Sequence, residues 1–485
     1  MLCSWRAQPD DAGRLSMFDR KLRPALRPNA LYYLRILALS TVMLWMPMSL
    51  FFGAVFRRSE YIHRTDIEIV DLDQGLVGRQ ISQSALLLAA AAPDQQAQPK
   101  WRIRNDLTTL AATRDWVRHH GWAALVINSG ASDRLADAVS GNPNTVYNPA
   151  DAATLIFNTG RHPIIELSYI QPALTAIARR AQMEFSVGFT RQLQGSNQIS
   201  AIPAQNIVTL ATQAVAFRIV DAAPLSFAIA PILYLFSFLV GQLCVIGALI
   251  AWKMASFSFF LKVQHTHVWL GAVSVVLVWS TYIGMLSALA ISAFRGPSYS
   301  RFALPYTVGR FFSLWFTTAM VLSAGGMWLM SWFAILTPEL LALASLSLVL
   351  PNVASTLTAV ETAPRFFRWF YALPFYNGSM LYRYILSGGF PRIGLNVGVV
   401  LGELYLWVFM LWFTTLVRQY TVIRGISDVP GWYRGSIFFA SPVPYYKDKD
   451  KIEPEPETES FEEGTIPITD SADDATSFRE GNLGV

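Results

Sequence analysis

Residues 225–251 read LSFAIAPILYLFSFLVGQLCVIGALIA, an apolar run without a charged residue. A helix that crosses a bilayer needs roughly 20 such residues, so this run is long enough to span. Four more runs of the same character follow, at residues 268–294, 311–335, 340–360 and 395–417. They predict a block of five membrane helices at residues 224–417, and the rest of the chain is organised around it.

A sixth apolar run, residues 36–55, stands apart upstream and follows a basic segment, residues 1–35. The run is too long and too late for a typical signal peptide, so we expect a retained first membrane helix at 36–56. The basic segment favours a cytoplasmic N-terminus, which places residues 57–223 outside the cytosol. Arginines in loops that this topology also puts outside, Arg365 and Arg383 among them, weigh the other way.

Residues 57–223 have the composition of a soluble domain in which β-branched runs alternate with helical spacing. Strands are predicted at 67–72, 101–103, 122–127 and 153–157, and helices at 77–88 and 110–117. A long helix from Pro163 to Gln194 is expected to stand as a stalk leading to the second span. The predicted fold class is therefore a helical membrane protein with six transmembrane helices, one plus five, and a small α/β extracytoplasmic domain between the first and second.

Three further segments have distinct compositions. Residues 361–393 are rich in aromatic side chains, which is typical of an element lying in the membrane interface. The alternative, by analogy with the related exporter fold, is a re-entrant hairpin that guards a substrate path. Residues 418–447 form a basic and aromatic juxtamembrane segment. Residues 448–485 carry 12 acidic and 3 basic residues together with several prolines, so a disordered tail is expected.

Composition argues against several functions. Arginines near headgroups explain the basic surplus without nucleic acid. None of the seven lysines follows a glycine, so the phosphate-binding loop of an ATPase is absent from the sequence. Of the two cysteines, Cys3 lies near the N-terminus and Cys244 lies in an apolar run. The predicted soluble domain therefore cannot contain a disulfide. Two pairs of histidines, 119–120 and 265 with 267, have no Cys or carboxylate residue at the spacing of metal ligands, so we expect no metal site. We also expect no cofactor and no enzyme activity.

Several motifs resemble known families. IVDLDQG at 69–75 and GWAALVI at 121–127 resemble the extracytoplasmic domain of bacterial phage-infection-protein relatives of the type-2 ABC-exporter membrane domain. ALPFY at 372–376, RYIL at 383–386 and GLNVGVV at 394–400 are similar to the fungal nitrosoguanidine-resistance protein family. The resemblance covers about residues 36–430. It implies a six-span exporter-type fold, a fungal source, a plasma or internal membrane, and a role in chemical resistance or membrane lipid behaviour.

Glu403 is the sharpest candidate site residue, because it lies well inside the last apolar run. A charge there costs on the order of 3 kcal/mol unless it faces protein or water. One interpretation is a proton-coupling or substrate-cation site. The other is a span that begins nearer Val400, which leaves Glu403 close to the headgroups.

Two further polar residues lie in apolar runs. Gln242 is interpreted either as an interhelical hydrogen-bonding group or as part of a substrate path. Asn352 follows Pro351, and this pair could open the helix for a ligand or form a kink that neighbouring helices satisfy. Asn377-Gly378-Ser379 is a possible glycosylation sequon in a loop that the topology places outside.

These features lead to two hypotheses of function. The first is a transporter-like protein that moves or clears toxic amphipathic small molecules or lipids, without its own ATPase. The second is a non-transporting membrane scaffold or regulator of lipid-handling partners. Expected partners are membrane lipids, a second copy by analogy with paired exporter halves, and a separate ATPase or lipid-handling protein. We expect residence in the plasma membrane, with an endomembrane as the alternative.

Overall fold

The computed structural model describes residues 23–91, 94, 96–140, 147–195, 202, 204–225, 230–256, 263–293, 304–336 and 338–423. The predicted acidic tail, most of the juxtamembrane segment, the first 22 residues and Cys3 lie outside the described residues.

One mixed sheet organises the soluble domain. Helix α1 (Arg23–Val55) precedes the domain. The strands and helices of the domain are, in chain order, β1 (Asp66–Asp71), α2 (Leu76–Ala90), β2 (Lys100–Ile103), α3 (Leu110–His119), β3 (Ala123–Ile127), α4 (Ala131–Val139), β4 (Ala153–Phe157), α5 (Gln171–Gly195), α6 (Ala204–Thr212) and β5 (Phe217–Asp221). The strand order is β2-β1-β3-β4-β5, with β3 and β4 antiparallel and the other neighbours parallel. The first four strands confirm the predicted ones, whereas α4, α6 and β5 were not predicted.

Each face of the sheet is covered by helices, as the continuous apolar composition of β3 and β4 requires. One face presents Ile67, Leu125 and Leu155 to a core shared with α2 and α5. The other presents Val126 and Ile156 to Val117 of α3 and to neighbouring apolar side chains. The central strands β1, β3 and β4 are therefore buried on both sides.

The long predicted helix exists, but it is not a stalk. A turn at Pro163–Ile165 and a π-helical turn at Glu166–Ile170 lead directly into α5. The inner face of α5, from Leu174 to Leu193, belongs to the core of the sheet domain. Apolar residues at helical spacing bury one face of this helix, so it is part of the domain.

The membrane block contains five long apolar helices. They are α7 (Ala230–Ser256), α8 (His265–Ala293), α9 (Val308–Ile335), α10 (Pro338–Leu357) and α12 (Ile393–Ile423). The candidate spans within these helices are, in the same order, Leu233–Lys253, His265–Ala293, Val308–Ile335, Leu340–Leu357 and Ile393–Thr421. A sixth candidate is Ser40–Val55 of α1, which meets a short helix at Arg58–Arg64 with a bend of 51°. Length and hydropathy therefore give five to six spanning helices among the described residues.

Helix α9 occupies the middle of the block, since most of its middle section is buried. A Cβ atom on Gly284 of α8 would lie 3.0 Å from the backbone of Trp315 and Ala319. Small residues allow this kind of close approach between membrane helices. The glycine thus sets how closely α8 packs on α9.

The aromatic segment divides into two parts, one with exposed aromatic side chains and one that is mostly buried. A 3-10 helix at Arg365–Ala372 exposes Phe366, Trp369 and Tyr371, as expected of an interfacial element. It is followed by α11 (Pro374–Ser387), of which 12 of 14 residues are buried. At about 1.5 Å per residue, α11 is roughly 21 Å long and cannot cross a 30 Å hydrocarbon core. This half of the segment fills the interior of the block instead of lying at its surface.

Candidate functional site

An open groove of about 440 Å³ runs between α7 and α8. Its wall is mostly apolar and includes Phe236, Val240, Cys244, Ile283, Leu286 and Ala290. Two hydroxyl groups, those of Ser237 and Ser287, interrupt the apolar lining. Both helices are candidate spans, and the groove is large enough for part of a hydrocarbon chain.

Buried polar side chains lie behind Ser237. The Tyr382 hydroxyl of α11 is 2.5 Å from the Thr318 hydroxyl of α9, and it also interacts with Ser237. Tyr382 is fully buried, so these bonds satisfy a hydroxyl that would otherwise be costly in the interior of the block. Of this hydrogen-bonded group, only Ser237 lines the groove.

Arg383, the next residue of α11, is also buried, with 3% of its surface exposed. Its Nη1 donates to the carbonyl of Arg161 (2.9 Å), and its Nη2 donates to the carbonyl of Thr356 (3.1 Å) and to the Tyr234 hydroxyl (3.3 Å). Among the described residues, no carboxylate lies within 4 Å of this guanidinium. A buried positive charge without a counter-ion is unusual and marks the site for function.

Carbonyl groups accept most of the hydrogen bonds that join the sheet domain to the block. Arg118 of α3 donates to the carbonyls of Gly388 (3.2 Å) and Ser387 (3.4 Å), and the Phe390 N–H donates back to the Arg118 carbonyl (2.9 Å). Arg64 similarly donates to the Ala363 carbonyl (2.8 Å). Arg118 thus attaches the end of α11 to the domain, and Arg64 attaches the segment that follows α10.

At this junction, two titratable side chains lie buried in the loop and turn after β4. Burial raises the pKa of Glu166 well above its ordinary value, and its Oε1 atom accepts a hydrogen bond from the Asn158 N–H at 3.3 Å. Burial also lowers the pKa of His162 well below 6.5, helped by the charges of Arg383 and Arg58. Burial therefore favours the neutral form of each side chain.

The predicted site residue Glu403 lies inside α12. The helix begins at Ile393, well before Val400, so Glu403 is about 15 Å along it at the usual helical rise. Its Oε2 accepts a hydrogen bond of 2.7 Å from the Trp407 indole, one turn away. The carboxyl group is half-buried with a local partner, which fits the interpretation of an interior site better than that of a headgroup position.

Gln242 is fully buried in α7, and neither atom of its side-chain amide has a hydrogen-bond partner in the described structure. A Cβ atom on Gly325 of α9 would lie 2.5 Å from its Oε1 atom. The amide therefore fits into a notch that the glycine leaves in α9. Such unsatisfied buried groups call for an explanation beyond packing.

Asn352 connects two helices. Its Nδ2 donates to the Leu348 carbonyl (2.9 Å), and its Oδ1 accepts from the Phe375 N–H at the start of α11 (3.0 Å). Helix α10 continues through Pro351 to Leu357. This geometry supports the interpretation of a kink that neighbouring helices satisfy.

Asn377 also lies in α11. Its side chain is fully buried, and its Nδ2 donates to the carbonyls of Tyr371 (2.8 Å) and Leu373 (2.9 Å). A glycan on that nitrogen would break both bonds and need space that the packing does not leave. The geometry speaks against glycosylation of the folded chain at this position.

The structure does not combine the predicted residues into one site. Glu403, Gln242 and Asn352 lie on three different helices and form no hydrogen bonds with one another. Of the residues that do converge, Arg383 was considered only as part of a family motif and as a loop arginine, and Tyr382 was not considered. The sequence signal that could have identified this site is a charged residue, Arg383, inside a short and mostly apolar helix. In the described ranges, no group of three His, Cys, Asp or Glu side chains could hold a metal.

The long apolar helices and the attached sheet domain define an integral membrane protein of the helical class. A family model described as protein of unknown function (DUF3533) matches residues 36–413. The chain belongs to this family. The match covers the first helix, the sheet domain and most of the membrane block. Among curated proteins and solved structures, none is significantly similar to the chain.

Proposed function

We propose that the chain moves or clears amphipathic small molecules or lipids from the membrane and thereby contributes to resistance against toxic amphiphiles. The observation that carries this proposal is the open, mostly apolar groove between α7 and α8, whose wall includes the hydroxyls of Ser237 and Ser287. An apolar tail would lie along the groove, and its polar group would face the hydroxyls. Lipids, the molecules next to the groove, are the nearest partners.

The arrangement around this site is part of the proposal. Six spans with a cytoplasmic N-terminus put the sheet domain outside the cytosol, directly above the end of α11. Plasma membrane is the favoured location and an endomembrane the alternative. The similarity to the fungal nitrosoguanidine-resistance family supports a fungal source and a resistance role, and its exporter relatives support a homodimer and a separate ATPase as partner.

A non-transporting scaffold or regulator of lipid-handling partners is the second candidate. One observation favours it: the polar residues behind the groove are closely packed, and the cavity next to Arg383 measures only about 10 Å³. In this case the groove would hold a lipid permanently, and the sheet domain would contact the partner.

A resistance assay separates the two candidates. Cells that lack the protein receive wild type, Ala290→Phe, which fills the groove, or Leu289→Phe, a control on an exposed position that does not line it. The transporter predicts that Ala290→Phe loses resistance to nitrosoguanidine and other toxic amphiphiles at equal expression, while Leu289→Phe keeps it. Unchanged resistance in Ala290→Phe, together with loss on deletion of the sheet domain, would support the scaffold.

A further inference from the structure

A small cavity lies where the sheet domain meets the membrane block. Its volume is about 10 Å³, which is room for one water-sized sphere or one monatomic ion. Polar and aromatic side chains form the wall, among them Trp122, Arg161, His162, Glu361, Arg383 and Phe390. These residues come from both the domain and the block, so the cavity exists only when the two are docked.

Three buried N–H groups of the lining side chains lack a protein acceptor. They are Nε of Arg161, Nε of Arg383 and Nε2 of His162. The Nδ1 atom of His162 accepts a hydrogen bond from the Ile165 N–H at 3.4 Å, so the hydrogen of the neutral ring is on Nε2. Burying donors without acceptors is unfavourable, and three on one small cavity point to a missing acceptor.

The charges of the lining lead to the same conclusion. Arg161 and Arg383 are each positively charged, because a guanidinium does not lose its proton in proteins. Glu361 is the one carboxylate on the wall, and its Oε1 is 3.9 Å from Nη2 of Arg161, too far for a close ion pair. The Arg161 guanidinium also lies 4.1 Å from the Trp122 ring and 4.6 Å from the Phe390 ring. The lining thus carries one net positive charge in a largely apolar setting.

We propose that this cavity binds one monatomic anion of the halide class, with chloride as its occupant in the cell. One halide ion brings the net charge of the lining to zero and accepts hydrogen bonds from all three donors. A water molecule has two lone pairs and leaves the charge uncompensated. Sulfate and phosphate are too large for the volume. The ion would lock the sheet domain onto α11, whether or not the protein transports.

Retention of radioactive chloride by the purified full-length protein in detergent tests this proposal. We expect one chloride per chain, which bromide displaces and sulfate does not. The melting temperature should rise with chloride until the site is saturated, and remain flat in sulfate of equal ionic strength. Arg383→Gln should lose retained chloride, whereas Arg365→Gln, an exposed arginine outside the cavity, should keep it.

The wild-type measurement decides the question even if Arg383→Gln does not fold. A second variant, His162→Phe, removes one donor without removing a charge and should weaken chloride retention at least several-fold. No retained chloride on wild type, together with equal melting temperatures in chloride and sulfate, would overturn the proposal and leave water as the occupant.

Discussion

Arg383 of α11 donates a hydrogen bond of 2.9 Å to the backbone carbonyl of Arg161 in the sheet domain. The two residues are far apart in sequence, and this bond joins the buried interior of the membrane block to the turn that begins after β4. The same guanidinium holds the Thr356 carbonyl at the end of α10. One side chain therefore connects α10, α11 and the domain.

Arg383→Met should destabilise the docked state. The substitution leaves the carbonyls of Arg161 and Thr356 without their donor, and each buried unpaired group costs about 1–3 kcal/mol. We expect a melting temperature lowered by several degrees in detergent and faster proteolysis of the sheet domain. Arg365→Met, at an exposed position of the 3-10 helix, is the control. Equal stability of the two variants would show that the connection is unimportant.

Gly378 provides a test of packing in the block. A Cβ atom there would lie 2.6 Å from Val321 of α9 and 2.7 Å from Phe238 of α7. Gly378→Ala should therefore destabilise the protein by about 1–3 kcal/mol through overpacking. Gly402 of α12 has nothing within 4 Å of such an atom, so Gly402→Ala should be neutral or stabilising by about 0.5–1 kcal/mol. Thermal unfolding in detergent compares the two, and the reverse order would disprove the buried position of α11.

Glu166 predicts a pH dependence of stability. Its folded pKa lies above its ordinary value of 4.5, so between the two values the folded chain holds one proton more than the unfolded chain. The free energy of unfolding contributed by this group falls as pH rises through that window, by at most about 1.4 kcal/mol per pH unit. Glu166→Gln keeps the shape of the neutral acid without titrating.

The stability of Glu166→Gln relative to wild type should therefore increase as pH rises from about 4.5. Taking the difference between the two proteins cancels the opposite contribution of His162, whose stabilisation is lost as pH falls below 6.5. Glu184→Gln, at an exposed position on α5, is the matched control. A difference that does not change with pH would mean that Glu166 is ionised in the folded protein.

Cys244 allows the groove to be examined chemically. The thiol is exposed on the groove wall. In a Cys3→Ser background, a small thiol-reactive methanethiosulfonate should label Cys244, and a saturating amphiphile should slow labelling about tenfold or more. Ala290→Phe should slow labelling without amphiphile, because the ring fills the groove. An unchanged rate in both cases would exclude the groove as a binding site.

Much of the fold follows from local patterns in the sequence. Apolar runs longer than a bilayer predict the spanning helices, and short β-branched runs between turn signals predict β1 to β4. Strand β5 was missed because it pairs only with β4 at the edge of the sheet, and its Arg218 and Ile219 are exposed. A half-exposed edge strand has neither a continuous apolar run nor a clear alternation.

The site was predictable only in part. Glu403 and Gln242 stand out as polar residues in apolar runs, and both are inside the block. The burial of α11 was not predictable, because Asn377, Tyr382 and Arg383 give it the composition of an interfacial helix. Their partners come from α7, α9, α10 and the sheet domain, and such long-range contacts leave no local trace in one sequence. The same reason explains why the junction around Arg161 was missed.

Among the predicted site residues, Glu403 allows the clearest functional test, which compares flux through wild type with flux through Glu403→Gln. The substitution removes the titratable proton of Glu403 while retaining an acceptor for the Trp407 indole. If Glu403 couples movement to a proton, flux of an amphiphile driven by a proton gradient should fall at least tenfold, with little effect on melting temperature. Trp407→Phe, which removes the hydrogen bond and part of the ring that packs against Trp328 but leaves the carboxyl group, should retain most of the flux. Equal flux in wild type and Glu403→Gln would assign Glu403 a packing role.

The most direct measurement is flux of a labelled toxic amphiphile or lipid across vesicles that contain the purified full-length protein. Vesicles without protein and vesicles with Ala290→Phe are compared with wild type, each with and without a proton gradient and ATP. We predict movement above the protein-free rate for wild type in at least one of these conditions, and its loss in Ala290→Phe. Wild-type vesicles that never exceed the protein-free rate would contradict the proposed function.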